Sequence, residues 1–232
     1  MSFIVDGMGQ AADLLLSGNP ETWSAVYATV VVTAMSVVAS FLMGAPLGFL
    51  LGYYSFPGKR ALRMIADTLL SFPTVVIGLI VYAMLSNRGP LGDLGLLFTL
   101  PGVAIGMTLL GLPIIIALTA NAVEYADGGL RDTLRTLGAS NGQVLRAMLW
   151  EVRYHMLLAA MAAFGRIVSE VGISMMVGGN IKWHTRTITT AIALETGKGE
   201  FAMGIALGVV LMVIAFAVNF ALAGLKRRTA TR

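Results

Sequence analysis

Long runs of apolar residues, separated by short polar segments, dominate the pattern of this chain. Runs of more than about 18 apolar residues are typical of membrane-spanning helices. The pattern predicts five spans, at about 23–52, 64–86, 99–122, 154–178 and 201–225. Pro46 lies within the first and longest run and predicts a tilt or a kink there. The predicted fold class is therefore all-α, a polytopic membrane protein with one transmembrane domain over residues 21–225.

The composition excludes several classes of protein. Hydrophobic residues make up 57% of the chain and charged residues 12%, which is too apolar for an ordinary soluble domain. The chain has no cysteine, so disulfides and thiolate metal sites are excluded. A phosphate loop is also missing, because Arg60 and Gly199 stand where Ser or Thr should follow the two Gly-Lys pairs. We therefore predict a non-catalytic membrane protein without a metal site or a bound cofactor.

The positions of Lys and Arg predict the orientation of the spans. Eleven of the sixteen lie in connections on one side of the predicted membrane, and Arg88, Lys182, Arg186 and Lys198 lie on the other. Because cytoplasmic connections carry an excess of Lys and Arg, the N-terminus is predicted outside and the C-terminus inside. The basic tail, 226–232, is then cytoplasmic.

Two further patterns concern the ends and faces of the helices. Ile4, Met8, Ala11 and Leu15 recur at helical spacing, so residues 1–20 are predicted to contain an amphipathic helix at the membrane surface. The alternative is a helix that caps the bundle. Small residues also recur at four-residue spacing and predict close helix packing, either within one chain or across a dimer, at Gly44, Gly48, Gly52, Gly102, Gly106, Gly204 and Gly208.

One polar segment, residues 131–153, interrupts the apolar pattern in the middle of the chain. Gly138 predicts a turn between two short helices within 127–150. Asp127 is a candidate N-cap for the first helix, and Ser140 with Gln143 fits a capping box for the second. Apolar residues of both helices predict an exposed ridge, at Leu130, Leu134, Leu137, Val144, Leu145, Met148 and Leu149. We interpret this segment as a docking element for a cytoplasmic partner, with a simple linker as the alternative.

The same segment resembles a cytoplasmic signature of the permease subunits of bacterial ABC importers, E-A-A-x3-G-x9-I-x-L-P. With Gly138 at the glycine, Asp132-Thr133-Leu134 stands at E-A-A and Met148 at I, while Trp150-Glu151 departs from L-P. The following Glu151-Val152-Arg153-Tyr154 is similar to tungstate-type permeases.

Two further stretches carry the resemblance. One is similar to molybdate and sulfate permeases, at Arg166, Glu170, Gly172, Gly179-Asn180-Ile181 and Thr185-Arg186-Thr187. The other comprises FPTVVIGL at 72–79 and NRGPLG at 87–92. Together the matches cover most of the chain, residues 70–195.

The resemblance implies a type I ABC importer transmembrane-domain fold in a bacterial or archaeal cell (inner) membrane. In that family the polar segment inserts into a groove of the ATPase, which implies coupling residues Asp132, Thr133, Leu134, Leu137, Gly138, Ala139 and Ser140. The implied partners are a second permease copy, two ATPase subunits that hold ATP and Mg, an extracytoplasmic oxyanion-binding protein and membrane lipid, without nucleic acid. Tungstate is the first choice of substrate, followed by molybdate and sulfate.

Arg166 and Glu170 lie inside the fourth predicted span, one helical turn apart. Each costs about 2.5–3.5 kcal/mol at the bilayer centre, so this face must turn inward and the two charges are expected to pair. Either the pair is purely structural, or Arg166 guides an anion and Glu170 positions it. Thr74, Thr108 and Asn180 are further candidates for the substrate pathway.

Two rival functions remain open from the residues. An autonomous anion channel or secondary transporter explains Arg166 but leaves the polar segment without a purpose. A membrane scaffold explains the polar segment but not the charge pair.

Overall fold

The computed structural model describes Gly9 and residues 19–230, except for the side chains of 127, 128 and 222–230. This part of the chain folds into helices and contains no strand. A short 3-10 turn at Gly92–Leu94 follows the third helix. The α-helices in chain order are α1 Pro20–Tyr53, α2 Lys59–Leu69, α3 Thr74–Leu85, α4 Leu100–Thr136, α5 Asn141–Val168, α6 Gly172–Gly178, α7 Ile188–Gly197 and α8 Phe201–Ala230.

Helices α1 and α4 form the centre of the molecule. Asn19 begins α1 by accepting hydrogen bonds from the backbone of Glu21 and Thr22, and Pro20 occupies the first turn. A Cβ on Gly48 would lie 2.6 Å from the Ile116 carbonyl oxygen. The small residues of α1 therefore pack against α4 within the chain. This is the first of the two predicted alternatives, packing within one chain rather than across a dimer.

Buried hydroxyl groups bind these two helices together. Ser36 Oγ donates to the Ala104 carbonyl at 3.2 Å, and Ser40 Oγ donates to the Thr108 carbonyl at 3.1 Å. Both serines are fully buried. Such short polar side chains add interhelical hydrogen bonds where the backbones approach closely.

Three helices are long and apolar enough to cross a membrane alone, and five spans result if each of two bent helix pairs counts as one. The predicted spans at 64–86 and 154–178 are not single helices. α2 and α3 meet at 99°, and α5 and α6 meet at 63°. Pro73 lies directly before α3, where it cannot continue the ladder of the preceding helix. The five-span count and the orientation stay predictions.

The polar segment agrees in part with the predicted pair of short helices. α4 has non-helical geometry at Gly129, where two helices meet at a kink, and the second of them is a short helix that ends at Thr136. The side chain of Asp127, the predicted N-cap, lies outside the described part of the chain. The second predicted helix is the start of the long helix α5, which runs without interruption from Asn141 to Val168. The turn between them is as predicted: Gly138 has a φ of +83°, and Ser140 and Gln143 form the capping box. The segment thus consists of a short helix after the kink, the turn, and the first part of α5.

The remaining helices pack beside α1 and α5, with α7 in contact with α1 and α8 in contact with α5. Thr187 begins α7 with a second capping box, and the Ile188 amide donates to the Thr29 hydroxyl of α1 at 2.8 Å. α8 packs mainly against α7. A Cβ on Gly204 of α8 would lie 2.8 Å from the Thr196 hydroxyl of α7, whereas a Cβ on Gly208 would meet nothing within 4 Å, so only the first of these two glycines packs closely within the chain. The predicted helix within 1–20 and the side chains of the tail 226–232 lie outside the described residues.

Candidate functional site

Arg166 and Glu170 form the predicted ion pair at the end of α5. Arg166 Nη1 donates to Glu170 Oε2 at 2.8 Å. The Glu170 side chain is 4% exposed, whereas that of Arg166 is 43% exposed. The buried carboxylate therefore holds one nitrogen of a partly exposed guanidinium.

Glu170 has a second role that the sequence reasoning missed. Its Oε1 accepts hydrogen bonds from the backbone amides of Gly172 at 2.9 Å and Ile173 at 3.4 Å. These amides lie in the first turn of α6, where they lack partners within the helix. Its backbone carbonyl also accepts from Thr189 Oγ1 of α7 at 3.1 Å. Glu170 thus connects α5, α6 and α7 at the bend.

The bends of the two broken helix pairs lie side by side. A Cβ built on Gly172 would be 3.2 Å from Glu170 Oε1 and 3.7 Å from the Thr74 hydroxyl. Farther along, Gly78 of α3 packs closely against Ile173 of α6. Thr74, Arg166 and Glu170 are therefore brought together where both helices change direction. In transporters, broken helices of this kind mark substrate sites.

The other two predicted pathway residues lie elsewhere. Thr108 is buried between α4 and α1, and its hydroxyl donates to the Ala104 carbonyl of its own helix at 2.7 Å. Asn180 follows the opposite end of α6, with a φ of +49°. Its side-chain oxygen accepts from Arg186 Nε at 3.2 Å. The structure groups Thr74 with the ion pair and separates Thr108 and Asn180 from it.

The predicted coupling residues surround the turn between α4 and α5. Asp132, Thr133, Gly138 and Ser140 are exposed, and the Leu137 side chain is 78% exposed. The predicted apolar ridge is only partly at the surface. Val144 and Met148 are buried in an apolar cluster with Phe49 and Tyr53 of α1, against which Leu130, Leu134 and Ala139 also pack. Of the large apolar residues in this region, those that remain exposed are Leu137, Leu149 and Trp150.

Arg131 attaches this region to the end of α1. Its guanidinium carbon lies 4.1 Å from the centre of the Tyr53 ring, and Nη2 donates to the Tyr53 carbonyl at 3.3 Å. Tyr53 in turn stacks on Phe49 at 5.4 Å. A movement of the polar turn would therefore reach α1 as well as α5.

The stretch similar to tungstate-type permeases forms a compact surface feature on α5. The Arg153 guanidinium lies 4.0 Å from the Trp150 ring and 4.1 Å from the Tyr154 ring. Arg153 Nη2 also donates to the Tyr154 hydroxyl at 2.9 Å. Trp150 is 67% exposed, so one face of this stack is open to a partner or to the membrane surface.

Two acidic residues that the sequence reasoning did not single out organise the connections. Glu124 of α4 pairs with Lys59 at 3.1 Å and Arg63 at 3.5 Å, which fastens α2 to α4. Glu21 at the start of α1 pairs with Lys182 and Arg186, both at 2.7 Å. These ion pairs join residues that are far apart in the chain. The sequence shows that the cations are present in other connections, but not which of them lie near Glu21 or Glu124.

The comparison with protein families identifies the class of this chain. The family of inner membrane components of binding-protein-dependent transport systems matches residues 44–231. The chain belongs to this family. Members are transport components rather than catalysts, and such systems imply an ATPase and a binding protein as partners. The predicted resemblance to ABC importer permeases is confirmed.

Several relatives in this permease family are similar over nearly their whole length. The tungstate uptake system permease protein TupB of Campylobacter jejuni is 47% identical, with 98% of this chain and 95% of that protein covered. TupB of Peptoclostridium acidaminophilum is 36% identical over 94% of this chain and 96% of that protein. The molybdenum transport system permease protein ModB of Escherichia coli is 26% identical over 92% and 98%.

A solved structure shares the fold of this permease. A chain of the MetNI methionine ABC transporter, in an inward-facing conformation, superposes with a TM-score of 0.70. The two chains are 24% identical, and the superposition covers 90% of this chain and 98% of the MetNI chain. The expected all-helical ABC importer permease fold is therefore confirmed.

Proposed function

We propose that this chain is the membrane-spanning permease subunit of an ATP-driven importer for tungstate. The 47% identity to a tungstate uptake permease over 98% of the chain carries the choice of substrate. Molybdate and sulfate permeases are more distant relatives, at 26% and 24% identity. Because tungstate and molybdate have the same charge and nearly the same size, we assign their discrimination mainly to the binding protein.

In this proposal Arg166 guides the oxyanion through the membrane. Among the described residues only Glu170 accepts a hydrogen bond from its guanidinium, and 43% of the side chain is exposed. A guanidinium offers several donors to a tetrahedral anion. Thr74 adds a hydroxyl at the adjacent bend. Glu170 positions Arg166 and keeps α6 in place, and weak binding at this point favours passage over retention.

The same proposal assigns the exposed turn at 132–140 to the ATPase. Leu137 offers an exposed apolar anchor, and Gly138 and the capping box give the turn one defined shape. Two permease copies, two ATPase subunits carrying ATP and Mg, and an extracytoplasmic binding protein complete the importer. We place five spans in a bacterial or archaeal cell membrane, with the N-terminus outside and the C-terminus inside. The dimer supplies a second Arg166 to the pathway.

Uptake into proteoliposomes tests the proposal. The permease is reconstituted with its ATPase and binding protein, and tungstate uptake is measured with molybdate or sulfate as competitors. We expect uptake to require ATP and to be inhibited by molybdate more than by sulfate. Tungstate entry without ATP or ATPase would instead support the autonomous channel.

Two variants that each remove one positive charge test the role of Arg166. Arg166→Gln is expected to abolish most uptake, whereas Arg88→Gln removes a charge at an exposed position and should leave uptake unchanged. Normal uptake by Arg166→Gln, after confirmed membrane insertion, would contradict the role of Arg166.

A further inference from the structure

Helix α2 has two chemically different sides. Leu62, Ile65 and Leu69 project on one side, and Lys59, Arg60 and Arg63 on the other, as expected for an amphipathic helix. α2 lies at 99° to α3. If α3 crosses the membrane, α2 lies close to the plane of the membrane surface, where amphipathic helices place their apolar side toward the acyl chains.

The apolar side of α2 covers an open cavity. The cavity has a volume of 510 Å³ and continues to Leu50 of α1 and to Leu112 and Ile116 of α4. Its lining is almost entirely apolar. The side chains of α2 around it are only partly covered, since Leu62 is 50% and Ile65 is 55% exposed. The cavity therefore has the chemistry and the size to accept a hydrocarbon chain.

The basic side of α2 faces a second cavity of 700 Å³, which Lys59, Arg60, Arg63 and Glu124 line together with Asp67. Glu124 pairs with Lys59 and Arg63, and Asp67 lies 3.9 Å from Arg63. Three cations therefore face two carboxylates, which leaves one positive charge.

The remaining positive charge belongs to Arg60. Arg60 is exposed and has no acidic partner within ion-pair distance among the residues that the structure describes. Lys59 and Arg63 are held by Glu124, so Arg60 is the cation of this cavity that is available to an anionic headgroup.

We propose that α2 binds one anionic phospholipid, with the phosphate at Arg60 and an acyl chain in the apolar cavity. The two cavities adjoin the same short helix, and a phospholipid carries both of the matching groups, a phosphate and an acyl chain. A single phosphodiester charge matches the single unpaired positive charge. The inference rests on the membrane placement of the permease and is independent of its substrate and its ATPase.

Bound lipid would hold α2 at the membrane surface. α2 leads through the bend at 70–73 into α3, whose first residue is Thr74 beside Glu170. Anchoring α2 therefore limits the positions available to one wall of the proposed pathway. Anionic lipid is expected to act on this permease as a specific ligand in addition to its role as solvent.

Lipid retention measured by native mass spectrometry tests the headgroup site. The permease is reconstituted in phosphatidylcholine nanodiscs with a small fraction of phosphatidylglycerol, extracted into mild detergent and weighed with its retained lipids. We expect preferential retention of phosphatidylglycerol, weakened about fivefold by Arg60→Gln, as one lost surface cation predicts. Arg88→Gln is the matched control and should behave as wild type. Equal retention of the two lipids, or no effect of Arg60→Gln, would overturn the proposal.

A cysteine variant tests whether lipid or a second permease copy occupies the apolar cavity. The chain has no cysteine, so Ile65→Cys introduces a single thiol. We expect this thiol to react with a lipid-soluble maleimide and to form no disulfide between permease copies in membranes. Efficient disulfide formation between copies would assign the cavity to the dimer interface and refute the lipid. Neither readout requires transport, so loss of the importer function itself would not imitate either failure.

Discussion

Glu170 offers a quantitative test of the bend between α5 and α6. Replacing it by alanine removes the acceptor for Arg166 and for the Gly172 and Ile173 amides. Replacing it by glutamine keeps an oxygen for the two amides, but removes the charge and puts a donor NH2 group in place of the oxygen that accepts from Arg166. The two variants therefore separate the cap of α6 from the ion pair.

The structure gives different magnitudes for the two changes. Arg166 is 43% exposed, so solvent screening reduces the contribution of the ion pair to about 1 kcal/mol. The first amides of α6 are covered by protein, and leaving such a donor without a partner costs about 1–3 kcal/mol. We therefore expect Glu170→Gln to lower the free energy of unfolding by about 1 kcal/mol and Glu170→Ala by about 2–4 kcal/mol, since the buried Ile173 amide then also loses its acceptor.

Unfolding of the purified permease in mixed micelles, followed by helical circular dichroism as the denaturing detergent increases, measures both values. Arg166→Gln provides the third variant and should be more destabilising than Glu170→Gln, because it leaves the buried Glu170 carboxylate without its cation. Equal destabilisation by the alanine and glutamine variants of Glu170 would show that the α6 cap does not depend on this side chain.

The remaining predictions concern the turn, the helix packing and the Tyr53 contact. Gly138→Pro cannot adopt a φ of +83° and should abolish stimulation of the ATPase, whereas Gly138→Asn should retain most of it; equal activity would refute the role of the turn. Gly48→Ala should destabilise the fold by about 1–3 kcal/mol in a thermal melt, and Gly208→Ala should change it by less than about 1 kcal/mol; similar losses would contradict the close α1 to α4 contact. Tyr53→Leu should weaken the Arg131 contact by about 0.5–2 kcal/mol in a double-mutant cycle, while Tyr53→Phe should not; identical coupling energies would exclude the ring.

Local chemistry made part of this structure predictable. The glycine turn at Gly138 and the capping box of Ser140 depend on neighbouring residues, so the sequence pattern was sufficient for both. The Arg166 and Glu170 pair was predictable because helical spacing brings them together and because an apolar span leaves them few other partners. The resemblance then supplied the fold and the family, which periodicity alone did not provide.

Features that depend on distant contacts were not predictable in this way. Hydropathy does not distinguish a straight span from a bent pair, so the bends at 70–73 and 169–171 were missed. The apolar side of α5 at Val144 and Met148 was predicted to be exposed, but Phe49 and Tyr53 of α1 cover it. The ion pairs of Glu124 with Lys59 and Arg63 of α2 were also not predictable, because the sequence does not show which helices lie side by side.

The uninterrupted course of α5 has a mechanical consequence. One end of this helix begins at the exposed turn and the other carries Arg166, so about 40 Å of rigid rod separates them at 1.5 Å per residue. A tilt of about 5° at the turn would displace the distant end by roughly 3 Å, comparable to a hydrogen-bond length. A small rotation imposed by a partner on the polar end would thus arrive at the charged residue as a change large enough to make or break its contacts. In the proposed importer, the stiffness of α5 is the property on which that transmission depends.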